Sequence, residues 1–222
     1  MYNVLFKCPF TMILSGATMS GKTTFLYNFL QYREDLLSEK PSKVFLFYKK
    51  YQPMYNQMLK YKIVDELIEL DEGMISLKNF QQKVRPFKDK GGCLCIFDDL
   101  MEEIDENNSK IFTKEAHHEN SSVIFVTQLL FVCDKSYRSM SRNTTYFVLM
   151  KNPRDARSIQ AMASQISSNN SILFDVFKEA TQNAYSYLVV DFHPTTPDHV
   201  RLRSRILPSE APMKAFMEKN CI

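Results

Sequence analysis

A chain of 222 residues with 45% hydrophobic side chains has ample material for the core of one α/β domain, and five glycines with no tryptophan argue against a glycine-rich or all-β architecture. The formal charge of +3 is mild, so bulk electrostatics neither demands nor excludes a nucleic-acid partner. No apolar run approaches the length of a bilayer span and the start of the chain lacks a signal-peptide pattern, so a soluble, intracellular protein without a membrane partner is expected, in the nucleus or cytoplasm.

The first predicted strand, Thr11–Ser15, runs into Gly16-Ala17-Thr18-Met19-Ser20-Gly21-Lys22-Thr23, followed by Thr24. This is a complete G-x-x-x-x-G-K-[ST] phosphate loop, and it opens a helix predicted over Lys22–Gln31. Strand, glycine loop and helix together form the context in which that motif binds a nucleoside triphosphate. The backbone N–H groups from Gly16 to Thr24 would wrap the polyphosphate, Lys22 would reach the β- and γ-phosphates, and the Thr23 hydroxyl would ligate Mg²⁺. The expected cofactors are therefore ATP and Mg²⁺.

A second strand is predicted over Lys43–Tyr48, with Lys49 and Lys50 beyond it as candidate contacts to a phosphate backbone. A helix is expected within residues 53–70, while residues 61–86 are less regular and read as an insertion. The third apolar run, residues 93–97, ends in Asp98-Asp99, the Walker B arrangement. Asp98 would support Mg²⁺ opposite Thr23, and Asp99 would orient or deprotonate the attacking water. Capping of the following turn is the plainer use of the same pair.

A helix over residues 109–118 leads to a strand over Ser122–Thr127 that ends in Gln128. If that strand lies between the phosphate-loop strand and the Walker B strand, Gln128 faces the γ-phosphate. The remaining elements are a strand over Tyr146–Met150, helices over 154–164 and 172–181, and a strand over Tyr187–Asp191. Asn152-Pro153 should start the first of these helices, with Asp155 in its first turn. Residues 195–208 read as an edge strand or arm, so that 1–222 is one P-loop ATPase domain with a C-terminal arm at about 195–222, and 213–219 as a short last helix. Alternation of strands and helices implies a three-layer α/β fold with a mostly parallel central sheet, of the additional-strand class.

The five cysteines, Cys8, Cys93, Cys95, Cys133 and Cys221, lack metal-site spacing, and Cys93 and Cys95 share a strand face as core thiols. His117-His118 has no partner ligand at suitable spacing, so packing or capping at a helix end is expected.

Four segments give the chain a family likeness: Lys7-Cys8-Pro9-Phe10, Phe97-Asp98-Asp99-Leu100, His117-His118-Glu119-Asn120 leading to Thr127-Gln128, and Lys151-Asn152-Pro153-Arg154-Asp155. Together with the phosphate loop they resemble the FtsK–HerA-type genome-packaging ATPases. The nearest likeness is to those of Maverick/Polinton elements and adintovirus-like relatives, with poxvirus packaging ATPases more distant. The resemblance runs from Phe6 to about Pro208. It departs where Leu129 follows Gln128 in place of a common Asn, which leaves a second polar sensor there open, and where Cys8 stands for a common His.

The resemblance implies a RecA-like core that assembles as a homo-oligomeric ring and pumps double-stranded DNA into a capsid, with a capsid or portal protein as a further partner. Such rings complete each site with an arginine from the neighbouring subunit. Arg138 and Arg154 are the candidates, with Arg142 the more idiosyncratic neighbour. Arg201, Arg203 and Arg205 alternate in the terminal arm, as a basic ridge or as the blunting charges of an edge strand. Two other readings stay open: a P-loop kinase or small-molecule phosphotransferase with a lid in residues 61–86, and a domesticated scaffold switched by nucleotide.

Overall fold

The computed structural model describes residues 4–70, 75–100, 109–130, 135–154, 156–166 and 170–216. Among them a mixed sheet of nine strands runs in the order β3-β2-β4-β5-β1-β6-β7-β8-β9. The strands β1 (Thr11–Ser15), β2 (Lys43–Tyr48), β3 (Glu66–Glu69), β4 (Cys93–Asp98), β5 (Ser122–Thr127) and β6 (Tyr146–Met150) are parallel. The last three, β7 (Tyr187–Asp191), β8 (Leu202–Ser204) and β9 (Lys214–Phe216), add on antiparallel.

The central strands are apolar between their tips because both faces are covered. Alternate residues divide between two cores. Met12 and Leu14 of β1, with Leu94 and Ile96 of β4, pack under α1 (Lys22–Gln31), α2 (Arg33–Leu36) and α3 (Pro53–Lys60) through Phe25, Phe29, Tyr55 and Met58. Ile13, Cys95 and Phe97 face the opposite layer, built from α4 (Leu77–Val84), a π-helical turn Ile111–Glu115 continued by Ala116–His118, α5 (Lys135–Arg142), α6 (Ala156–Ile166) and α7 (Asn170–Ala180). A period of two along each strand thus feeds both layers.

Four expectations change here. Residues 61–86 are no insertion: β3 pairs in register with β2, and α4 buries Phe80 and Val84 in the core. The strand was hidden because Glu66 and Glu69 flank only two apolar residues at the sheet's edge. The strand within 195–208 is not an edge, since β8 lies between β7 and β9, and residues Lys214–Phe216 are the edge strand where the pattern suggested a helix. Arg154, where a helix is expected to start, lies instead in an Asx turn in which the Asn152 side chain accepts from its N–H at 3.2 Å, and the described helix spans Ala156–Ile166. Asp155, Cys133 and Cys221 lie outside the described residues.

Cys93 and Cys95 are buried, free thiols, as their shared strand face suggested. Burial pushes the Cys93 thiol up to about 12 and raises Cys95 as well, which keeps both protonated and unreactive.

Candidate nucleotide site

The phosphate loop leaves the carboxyl end of β1, the edge where open α/β sheets bind ligands. Its two glycines have separate reasons. A Cβ at Gly16 would meet Ser20 Oγ at 2.6 Å and Met150 Cβ at 2.7 Å, because β6 crowds the loop from the side. Gly21 caps α1 with φ 98°, a left-handed conformation that L side chains rarely adopt. Among the described residues no side chain caps α1 and its first turn carries no acid, which suits the helix start to a bound anion. Lys22 Nζ donates to the carbonyls of Gly16 (2.8 Å) and Ala17 (3.0 Å), poised over its own loop. Burial lowers the Lys22 pKa, and the charges of Asp98 and Asp99 oppose that shift.

The two carboxylates at the end of β4 part company. Asp98 is 4% exposed and closes the strand. Its Oδ2 accepts from the Tyr55 hydroxyl at 2.5 Å and from Gln52 Nε2 at 3.2 Å. The Gln52 carboxamide turns its oxygen to the Thr23 hydroxyl, which donates to it at 2.9 Å. One side chain therefore bridges the threonine of the phosphate loop and the aspartate of the Walker B strand. Burial raises the Asp98 pKa; the Tyr55 hydrogen bond and the Lys22 charge oppose this, and the Asp99 charge adds to it.

Asp99 is exposed and has φ 57°. That left-handed backbone, tolerated by Asp better than by most residues, turns the side chain away from the sheet. It meets Gln128, whose Nε2 donates to Asp99 Oδ1 at 3.3 Å while its Oε1 accepts from Thr18 Oγ1 at 3.0 Å. Asn152 Nδ2 donates to the Gln128 carbonyl at 3.1 Å, tying in the Asn-Pro-Arg turn. Strand order explains the meeting: β5 does lie between β1 and β4, with Ser15 opposite Thr127 and Asp98 opposite Val126.

These residues line two adjoining clefts. One, of about 520 Å³, runs along Thr18, Met19 and Gly21–Thr24 past Asp98 and Gln128. The other, of about 860 Å³, lies on the far side of Gln128 and includes Lys49, Lys50, Asn152 and Arg154. Asp99, Gln128, Thr18 and Lys50 line both.

The structure separates the arginines. Arg154 lines the larger cleft beside Asp99. Arg138 is exposed midway along α5, and Arg142 lies at the other end of the strands, beside Phe10 and Thr145. Arg203 is fully buried and paired with Asp191 at 2.8 Å, and Arg201 is held by Asp198 and two carbonyls, so the arm presents no ridge of three arginines. His117 and His118 are exposed at the amino end of β5, remote from the phosphate loop. The Lys7–Phe10 segment is also at that end, where Phe6 packs on Phe29 and Tyr146 and Lys7 N donates to Tyr146 Oη.

Gln52 and Tyr55 are members of the site that the motifs did not reveal, and Asn152, expected only as a helix start, joins it through the Gln128 carbonyl. The one available signal was Gln52-Pro53 just beyond an apolar strand, an N-cap and first-turn proline placed at a carboxyl edge.

A family model described as Poxvirus A32 protein matches residues 1–194. The chain belongs to this family. Over 132 residues it is 30% identical to the DNA packaging protein OPG160 of Variola virus and to that of Vaccinia virus (strain Copenhagen), covering 56% of this chain and 47% of each relative. The chain spans about half the length of these curated relatives. Among solved structures, the genome packaging NTPase B204 of Sulfolobus turreted icosahedral virus 2, in complex with ATP-gammaS, matches with TM-score 0.57 at 13% identity, over 85% of this chain and 95% of that one. The cytoplasmic domain of the Type VII secretion ATPase EccC of Thermomonospora curvata matches with TM-score 0.50 at 12% identity, over 84% of this chain and 24% of that one. Both are likenesses of fold. No helix among the described residues is long and apolar enough to cross a membrane.

Proposed function

We propose that this chain is the Mg²⁺-dependent, ATP-hydrolysing motor subunit of a viral or transposon genome-packaging machine, a FtsK–HerA-type translocase of double-stranded DNA. The observation that carries the reading is the Asp99–Gln128–Thr18 linkage, which joins the Walker B strand, the interposed strand and the phosphate loop. Hydrolysis needs a positioned water and neutralised γ-phosphate charge, and this linkage puts an exposed carboxylate beside the loop that would hold the phosphates. Membership of the Poxvirus A32 protein family and the OPG160 relatives support DNA packaging as the purpose. The likeness to Maverick/Polinton proteins rests on the motifs quoted above.

The residues suit Mg²⁺. Hydroxyl and carboxylate oxygens are the hard donors the ion takes alongside phosphate and water. Thr23 and Asp98 supply them, and the span of one Gln52 carboxamide separates them. The ion would supply charge neutralisation at the β- and γ-phosphates. Around it Lys22 holds phosphate, Asp99 takes the proton of the attacking water, and Gln128 senses the γ-phosphate.

An arginine in trans would complete the site in a ring of identical subunits. Arg154, beside Asp99 in the larger cleft, fits this role or a cis role better than Arg138. Because β8 and β9 extend the same sheet, the described residues are proposed to work as one ATPase domain, docking to capsid or portal protein elsewhere on its surface.

The test is steady-state ATP hydrolysis with and without long double-stranded DNA across a range of protein concentrations. Turnover per subunit that rises with concentration and again with DNA is expected. Turnover indifferent to both would overturn the translocase reading and leave an ATPase with another partner.

A further inference from the structure

Beyond the phosphates, the loop between α7 and β7 carries a feature that none of the motifs use. Because β7 runs antiparallel to β6, its first residue, Tyr187, pairs with Met150 at the carboxyl edge of the sheet, beside the phosphate loop. The Tyr187 ring stands edge-on to Phe25 of α1 with centroids 4.7 Å apart, which fixes the start of β7 against the first turns of that helix. The turn before it is closed by Ser186, whose N–H and hydroxyl both donate to the Asn183 carbonyl. Between these anchors Tyr185 is held at φ 63°, a costly conformation for a bulky residue, and its side chain is 71% exposed.

The exposed ring is not adrift. It lies against the backbone of Gly21: a Cβ there would come within 3.0 Å of Tyr185 Cδ1. Tyr185 thus lines the same cleft of about 520 Å³ as Lys22, Thr23 and Thr24. We propose that Tyr185 is the stacking platform for the base of the nucleotide whose phosphates the Gly16–Thr23 loop holds. The proposal rests on the phosphate-loop reading above and adds the group that receives the other end of the ligand. A nucleotide anchored by its phosphates carries its base on a short ribose tether, and an aromatic face beside the loop is the partner a base prefers.

A second tyrosine of the cleft, Tyr51, is a poorer candidate. It is 44% exposed, and its ring is engaged edge-on with Tyr48 and Tyr55 on the Gln52 side, where the metal ligands converge. Stacking on Tyr185 reads the π face that all bases share, so ATP and GTP should bind with nearly equal affinity.

The experiment uses the full chain and three ligands in the presence of Mg²⁺: ATP, GTP and inorganic tripolyphosphate. In Tyr185→Ala, ATP and GTP are expected to bind about ten-fold more weakly while tripolyphosphate binds as to the parent. Tyr185→Phe should restore both nucleotides. Since the chain has no tryptophan, Tyr185→Trp introduces a single reporter, whose fluorescence should be quenched by ATP and left unchanged by tripolyphosphate. Parent-like ATP affinity in Tyr185→Ala would overturn the proposal. So would equal loss of ATP and tripolyphosphate, which would make Tyr185 a support for the loop instead of a contact to the base. Failure of the parent to bind tripolyphosphate or ATP at all, matched by Lys22→Ala, would instead bring down the phosphate-loop reading itself.

Discussion

Gln128 Nε2 donates to Asp99 Oδ1 across 3.3 Å although the two residues leave different strands, 29 positions apart in the chain. The bond exists because β4 and β5 are neighbours in register, so the first residues past their tips emerge side by side. If the pair acts on one water, its members are not independent. Asp99→Asn should lower single-turnover hydrolysis by roughly 10²- to 10⁴-fold with ATP affinity retained. Gln128→Ala should then cost less in the Asp99→Asn background than in the parent. Additive losses would show that the two side chains serve separate steps.

Asp98 gives a prediction about stability. Burial raises its pKa in the folded protein above the ordinary carboxylate value of 3.8. Below that value both folded and unfolded states hold the proton and the residue is neutral to stability. As pH rises, the unfolded chain ionises first, so the folded state is progressively penalised until the folded pKa is passed, and the penalty then stays constant. Asp98→Asn should therefore melt higher than the parent near neutral pH, by roughly 2–4 °C for each ~1 kcal/mol of charge burial removed. The gain should vanish at the acid end of a series of melts in metal-free buffer. A difference that does not change with pH would mean that Asp98 is not strained by burial.

Tyr55 is fully buried and its hydroxyl is the closest donor to Asp98, at 2.5 Å. Tyr55→Phe keeps the ring packing against Tyr48 and leaves the carboxylate short of one partner. A loss of about 1–3 kcal/mol in urea denaturation is expected, the cost of removing a hydrogen bond to a buried charged group that keeps Gln52 as its other donor. The same substitution in Asp98→Asn should cost less, because a neutral amide tolerates the missing donor better.

The Arg203–Asp191 pair is buried on both sides, with Thr196 also donating to Asp191 and the guanidinium over the Phe6 ring. Removing one member strands a buried charge, so Arg203→Ala should destabilise the fold by about 3–5 kcal/mol. Arg203→Met with Asp191→Asn should recover part of that. DNA affinity measured below the melting temperature should be unmoved by Arg203→Met. A selective fall in DNA binding with intact stability would make Arg203 part of a basic ridge that meets DNA.

The sequence alone determined the local chemistry of this protein. Gly16, Gly21, Lys22 and Thr23 occupy fixed spacings because a tight turn, a left-handed cap and a helix start need them there, and that requirement is local in the chain. The buried strands were equally legible, since a strand covered on both faces has to be apolar between its tips, as Cys93–Phe97 and Val123–Val126 are. Tertiary structure decided what lies beside what. The bridge from Thr23 through Gln52 to Asp98 depends on β2 pairing with β4, and no pattern within residues 43–60 encodes that partner. The burial of Arg203 depends on Asp191 of β7 and the Phe6 ring lying against it, partners that the alternation of arginines does not encode. Tyr185 meets the phosphate loop only because β7 reverses direction against β6. Propensity and motif act over a few residues, whereas sheet order is set by which apolar faces find cover, and that is a property of the whole chain.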